Sequence, residues 1–327
     1  MNLQEAQISA KAKAEEDALK LTRTLLNNYN IARDDIIAKL DATYAKYLTT
    51  ADPKDYYNIM IQYDRLNNML VDVDKLYAKQ LKKAGVNIEQ ISSKAMEGAY
   101  YRQQYVLTWA DPRMTFSMIK PKLIELSVTG TTKSWNKIGS EIAKDFVPKY
   151  GTLKNVIAKH DFQALANVRQ EITQGFIQGK STKDMAEAIS GRIDTDTAKA
   201  LRIAQTEANR TANAGAYAAS LDAEEQGIKI TRMWLAALDS NTRDSHAELD
   251  GQEVGVDEPF RINGAEAMFP GDFGIAEEDI NCRCSVIDLV NGEKPEFRMG
   301  RDPVTEKNEV FEWKNYAQWA KDNKIGV

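Results

Sequence analysis

Cysteine and histidine are nearly missing from this 327-residue chain, which has two of each. So few cysteines in so long a chain exclude a disulfide-built secreted scaffold and point to folding in a reducing cytosol. Neither a CxxC pair nor an HExxH motif is present, so the commonest zinc spacings are excluded. An excess of charge of one sign is lacking as well. The 43 basic and 48 acidic side chains leave a net charge of −5, and bulk electrostatics gives no drive for tight nonspecific DNA binding. No apolar run is long enough to span a bilayer, and the opening stretch MNLQEAQISAKAKAEEDALK lacks the apolar core of a signal peptide. What remains is a chain 43% hydrophobic and 28% charged, long enough for a substantial core and expected to hold two domains with a C-terminal tail.

Apolar residues at helical spacing, among them Leu19, Leu25, Leu26, Tyr29, Ile36, Ile37 and Leu40, predict one long amphipathic helix, or two, over residues 4–48. Asp52 as N-cap and Pro53 at the first helical position open the next helix, which Met60, Leu66, Leu70, Val73, Tyr77 and Leu81 carry to a C-cap at Gly85. A third helix is expected over residues 88–108. Its tyrosines Tyr100, Tyr101 and Tyr105 read as packing surface, because Arg102 is the one basic residue beside them. Asp111-Pro112, Lys120-Pro121 and a Thr/Gly connector at 128–132 place a domain boundary near residue 130. Further helices are expected over 134–150, 153–159 and 161–178, with His160 at a junction.

The segment from Gly175 to Thr182 ends in GKST, but three residues separate its glycines where a phosphate loop needs four, and no strand precedes it. It reads as a turn in which Ser181 caps a helix and Asp184 completes a capping box. After Gly191 a helix over residues 197–226 is expected. Its apolar side is a row of alanines, and its polar side, Arg202, Thr206, Glu207, Arg210 and Asn213, reads as a solvated face. Residues 291–305 read as linker, and the aromatics around Trp313 and Trp319 as an anchor for the C-terminus.

The scarce residue types gather between residues 228 and 289, where both cysteines and His246 lie. The stretch opens as a strand of period two over residues 228–238, centred on Trp234. Asp239, Ser240 and Asn241 then supply turn and N-cap oxygens for a short helix that Gly251 ends. Arg243, His246 and Asp250 fall on one face of that helix, where their polar ends can converge. The next thirty residues read as a long loop with one hairpin. In Asn281-Cys282-Arg283-Cys284 an extended backbone turns both sulfurs to one side and Arg283 to the other. Two thiolates and an imidazole supply three of the four ligands of a tetrahedral zinc, with Asp250, Asp239 or water as the fourth. The alternative is that the cysteines are small buried hydrophobes and the histidine bonds a neighbouring loop.

The series AQTEANRTANAGAYAA, KITRMWLAALDSNTRDSHAELDGQEV and INCRC, in this order and spacing, resembles the phage Mu F-like minor head proteins, the phage head-morphogenesis family. The resemblance rests on Thr206, Glu207, Arg210, Asn213, Trp234, Asp239, Arg243, His246, Asp250, Gly251, Asn281, Cys282, Arg283 and Cys284. It implies an α+β fold: a long helical N-terminal region, then a mainly helical domain whose small sheet carries the His/Cys stretch. The divisions would be a partner-binding helical region at 1–130, the head-morphogenesis domain at 131–290 and an anchored tail at 291–327. The resemblance also implies a structural protein, not an enzyme: a minor capsid protein associated with the portal and with capsid or scaffold proteins. It would act in procapsid assembly and DNA packaging or delivery, in the host cytoplasm and then inside the capsid near the portal vertex, with at most weak DNA contact and no membrane contact. Metal-ligand candidates are His246, Cys282 and Cys284, with zinc as the ion. The competing class is a nuclease or nucleotide transferase using Glu207, Arg210, Arg243 and His246, the last as general acid or base. The short sequence beyond Leu289 leaves no room for an appended toxin domain.

Overall fold

A computed structural model describes residues 3–47, 56–115, 117–130, 142–149, 151–178, 180–305 and 307–325. The fold is α+β, mainly helical with small antiparallel sheets. Two long helices open it, α1 (Leu3–Tyr47) and α2 (Tyr56–Ala110). They are followed by α3 (Pro121–Thr129), a 3-10 turn (Ile142–Phe146), α4 (Leu153–Ile177) and α5 (Thr182–Glu225). Strand β1 (Ile230–Leu235) leads into α6 (Asp244–Leu249), β2 (Glu253–Gly255), β3 (Phe260–Ile262), β4 (Ala265–Ala267), α7 (Ala276–Asp279) and β5 (Ser285–Val290). The chain closes with β6 (Phe297–Arg301), β7 (Asn308–Glu312) and α8 (Tyr316–Asp322). Among the described residues no helix is long and apolar enough to cross a membrane.

Several expected breaks are absent. Helix α2 runs through Gly85, α4 through His160 and α5 through Gly191. An interior glycine costs about 1 kcal/mol against alanine, and packing can outweigh that. At Gly85 a Cβ would sit 3.0 Å from the Ile157 side chain, so the glycine lets α4 approach α2 closely. His160 is held inside the fold, its Nε2 3.0 Å from the carbonyl of Asp196. The helix expected over 134–150 is represented among the described residues by the 3-10 turn alone. The expected Asp52 cap, Pro53 and the side chains of Leu19 and Met60 lie outside the described residues. Ser181 does cap α5, accepting from the Asp184 amide at 3.1 Å.

The chain divides into two compact units. One comprises residues 20–89 and 154–203, where α1, α2, α4 and α5 bury Leu25, Ile36, Leu40, Val73, Leu81 and Ile172. The other comprises residues 1–19, 90–153 and 204–327. In it β1 is the central strand of a sheet ordered β2-β1-β5, antiparallel throughout, with Trp234 opposite Val286 and Leu235 opposite Ser285. Because both faces of β1 are covered, alternation is lost and Arg232, Met233 and Trp234 are all buried. Arg232 stays satisfied by donating to the carbonyls of Gly255, Glu258 and Met268 and lying 4.5 Å from the Tyr217 ring centre. The expected hairpin is β3–β4, turned by Asn263 and Gly264, both with positive φ, as a type I′ turn requires. Residues 291–305 are not linker: β6 pairs with β7. The C-terminal anchor is real, with Trp319 buried on α8.

Candidate functional site

Helix α5 positions the site. Thr206, Glu207, Asn209, Arg210 and Asn213 recur at three- and four-residue spacing and so share one face. That face is not solvated. Glu207 and Arg210 are 3% and 2% exposed, because the irregular segments after β1 dock on it and need partners for their backbone groups. Thr206 Oγ1 accepts from the Asn281 amide at 3.0 Å, and the Asn209 and Asn213 side-chain amides both donate to the Cys284 carbonyl, at 3.3 and 3.1 Å. Arg210 pairs with Glu207 at 3.2 Å and donates to the Ser127 carbonyl. Burial pushes the Glu207 carboxyl up, against the pull of Arg210. Arg202, assigned to the same row by spacing, is exposed.

Arg243, His246 and Asp250 do not converge. Arg243 donates to the carbonyls of Glu278 and Ile280, tying α6 to α7. Asp250 is sequestered: its carboxylate accepts from the Ala236 amide at 2.8 Å, the Tyr316 amide at 2.7 Å and both terminal nitrogens of Arg298 at 2.6 and 2.8 Å. This removes Asp250 as a fourth ligand. Asp239 is equally committed, bonding the Arg283 guanidinium at 2.7 Å and the Asn241 amide at 2.9 Å. Gly251, at φ +84°, turns the chain so that its amide reaches the Trp234 carbonyl at 2.9 Å.

His246 meets the two sulfurs. Its Nδ1 lies 3.2 Å from Cys284 Sγ and 3.8 Å from Cys282 Sγ, and the three ligand atoms lie within 4.8 Å of one another. All three residues are buried, in a wall that includes Trp234, Phe260 and Phe273. Trp234 stands edge-on to the imidazole, ring centres 5.9 Å apart. Arg283 points away to the surface, as the alternation of Cys-X-Cys requires. A hydrogen bond from Cys282, and the nearby imidazole, hold the Cys284 thiol well below the ordinary thiol range against its burial. The same bond and burial push Cys282 well above it. Burial works to lower His246, but Cys284 outweighs it and the imidazole pKa is raised.

Asn209 is absent from the row that spacing singles out, and three contributors outside α5 are likewise not singled out by sequence reasoning. Glu278 Oε2 lies 3.1 Å from His246 Nε2, at ion-pair distance but off the line of a hydrogen bond, and accepts from Ser245 Oγ at 2.8 Å. Asp279 accepts from the Phe273 and Gly274 amides at 3.0 and 2.7 Å. Arg298 neutralises Asp250. The acidic run before Asn281 signals the first two only loosely, and nothing local signals Arg298.

Fold and site together define a class: an α+β domain in which a polar helix row clasps a Cys-X-Cys turn against a short His-bearing helix. Residues 166–287 match the family model described as Phage Mu protein F like protein, so this stretch of the chain is similar to that family. It is 34% identical over 176 residues to the minor head protein GP7 of Bacillus phage SPP1, covering 53% of this chain and 56% of that protein. It is 31% identical over 266 residues to an Enterococcus faecalis protein named NAD(+)-arginine ADP-ribosyltransferase EFV, covering 81% of this chain and 51% of that protein. The uncharacterized protein YqbB of Bacillus subtilis is 24% identical over 195 residues, 58% of this chain and 56% of that one. The chain thus spans about half the length of these relatives. No solved structure matches it.

Proposed function

We propose that this chain is a minor head protein of a tailed phage, working in procapsid assembly at the portal and aiding DNA packaging or delivery. It would assemble in the host cytoplasm and reside in the capsid interior near the portal vertex. The observation that carries this reading is that the family-matched stretch, residues 166–287, uses its motif side chains to hold backbone together in a closed interior. Such residues serve as fixtures in an assembly component. The SPP1 relative named a minor head protein supports the same setting. The helices before residue 130 are the proposed partner-binding region, residues 131–290 the head-morphogenesis domain and the remainder a tail. Ile31, Val71, Val86, Tyr105 and Trp109 stay exposed along α1 and α2 and suit docking against portal, capsid or scaffold helices. Any DNA contact would be weak at a net charge of −5. The test is co-purification with the portal oligomer and mass spectrometry of particles; absence from both overturns the reading.

The enzyme named among the relatives favours a second reading, transfer of a nucleotide group. Half of that protein lies outside the match, and the side chains suspected of chemistry here are otherwise engaged. Glu207 and Arg210 neutralise each other in the interior, and Arg243 is spent on main-chain carbonyls. Transfer of labelled ADP-ribose to arginine by the purified chain, abolished by Glu207→Gln, would establish the second reading.

A further inference from the structure

We propose that His246 Nδ1, Cys282 Sγ and Cys284 Sγ bind one Zn²⁺, which cross-links α6 to the Cys-X-Cys turn, and that Glu278 is the positioning residue that orients the imidazole through its other nitrogen. The fit is geometric. A tetrahedral zinc with ordinary Zn–S and Zn–N bonds holds a sulfur and a nitrogen roughly 3.5 Å apart, and the two sulfurs here lie 3.2 and 3.8 Å from Nδ1. The donor set, two thiolates and an imidazole, is soft and suits zinc over magnesium or calcium. Two thiolates also balance the charge of the ion, so the loaded cluster is neutral in an interior where an unpaired charge is costly.

The surroundings support metal over simple packing. Cysteines acting as small hydrophobes need no imidazole between them, and a histidine bonding a neighbouring loop needs no second sulfur. Here each ligand is set from a different element. Cys284 is placed through its carbonyl by Asn209 and Asn213 of α5, and Cys282 through its amide by the Asp279 carbonyl of α7, at 3.2 Å. His246 is placed by α6. Its Nε2 has no hydrogen-bond partner among the described residues, and the Glu278 carboxylate is waiting 3.1 Å from it. A small rotation of the ring onto a metal at Nδ1 would aim Nε2–H at that carboxylate, the arrangement that fixes tautomer and basicity in metal-bound histidines. Glu278 sits at the nitrogen facing away from the sulfurs, so it orients and does not ligate. With Asp239 and Asp250 committed elsewhere, the remaining zinc position falls to solvent.

The experiment uses the full chain. Protein purified without chelator is expected to carry about one equivalent of zinc, and Cys282→Ser/Cys284→Ser or His246→Ala less than about a tenth. Glu278→Gln is expected to keep the metal with affinity lowered about 10- to 100-fold. Zinc-stripped wild-type protein, titrated with Co²⁺, should develop a thiolate-to-cobalt charge-transfer band that saturates at about one equivalent. This second measurement needs no variant, so a poorly folding variant does not block the test. Failure of the band to form, or zinc retained by the double serine variant, overturns the proposal. No phage particle enters either measurement, so its failure leaves the assembly reading standing.

Discussion

The two compact units are held together by different means. In the unit of residues 20–89 and 154–203, regular helices satisfy their own backbone groups, and side chains are left to pack. Among its described residues the ion pairs Lys39–Asp72, Arg169–Asp74 and Arg192–Glu171 lie at partly exposed positions. Asp196, bonded by Tyr77 and Asn167, is a buried carboxyl there, in a unit whose other buried polar side chains, Gln80, Asn167 and Thr197, carry no formal charge. In the other unit Glu207, Arg210, Arg232, Asp272, Asp288 and Arg298 are all buried. Irregular chain carries amides and carbonyls with no helical or sheet partner, and buried ones must be met by side chains from elsewhere. The comparison teaches that polarity in this interior is the means by which loops become fixed structure.

The largest effect should come from breaking that means where it is most concentrated. Asp250→Ala strands Arg298, which is 4% exposed, together with the amides of Ala236 and Tyr316, and should cost about 3–5 kcal/mol in chemical denaturation. A cost no larger than that of a surface pair would erase the distinction between the units. In the helical unit the corresponding weak point is apolar. Leu81, 1% exposed on α2, should cost about 2–5 kcal/mol as alanine. Circular dichroism of thermal unfolding would show it, and a loss under 1 kcal/mol would mean the helices are not held by their apolar stripes.

The same contrast governs what was legible in advance. Helix α1, strand β1, the Ser181 cap and the presence of one hairpin in the loop after Gly251, though not its turn at Asn263-Gly264, are legible because each is a local pattern with a local cause. The meeting of His246 with Cys282 and Cys284 was legible because scarce ligand types cluster and a Cys-X-Cys alternation fixes facing. Continuity through Gly85 and His160 is not legible, since these sites meet neighbours such as Ile157 and Asp196 that no window contains; Gly191 has no such neighbour and is simply carried inside α5. The α5 row was read as solvated because its polar side chains serve backbone groups some seventy residues later, as Asn209 and Asn213 serve Cys284. The strand around Arg298 reads as linker for the same reason: its partner Asp250 is 48 residues away.

Proton titration offers a finer comparison, because burial disfavours a charge unless polar partners make up for its lost hydration. Asp272 is 3% exposed, and burial raises its pKa from 3.8 to about 6 despite Lys149 at 2.9 Å and the Met268 amide at 3.0 Å. A carboxyl whose folded value exceeds its unfolded value favours the protonated fold. Its contribution is fully present below about pH 4 and lost as pH rises through about 6. Relative to Asp272→Asn, the wild type should therefore lose about 2–3 kcal/mol between pH 4 and pH 6.5. Denaturation midpoints of both proteins across that range would reveal it. A difference that grows in the opposite direction would show that Lys149 outweighs desolvation.

The smallest effect separates a docking contact from a surface one. Thr206→Val keeps the shape of the side chain but removes the acceptor for the Asn281 amide. Because Asn281 is itself exposed, water can replace part of the bond, and the cost should be about 1 kcal/mol. The exposed Arg261–Glu266 pair, broken as Glu266→Gln, should cost less than about 0.5 kcal/mol. Hydrogen exchange distinguishes the two more sharply than global stability does. Losing the Thr206 contact should speed exchange across residues 279–284, where the Cys-X-Cys turn is clasped, whereas losing the surface pair should leave that segment protected. If both variants expose the turn equally, the α5 row is not what holds it.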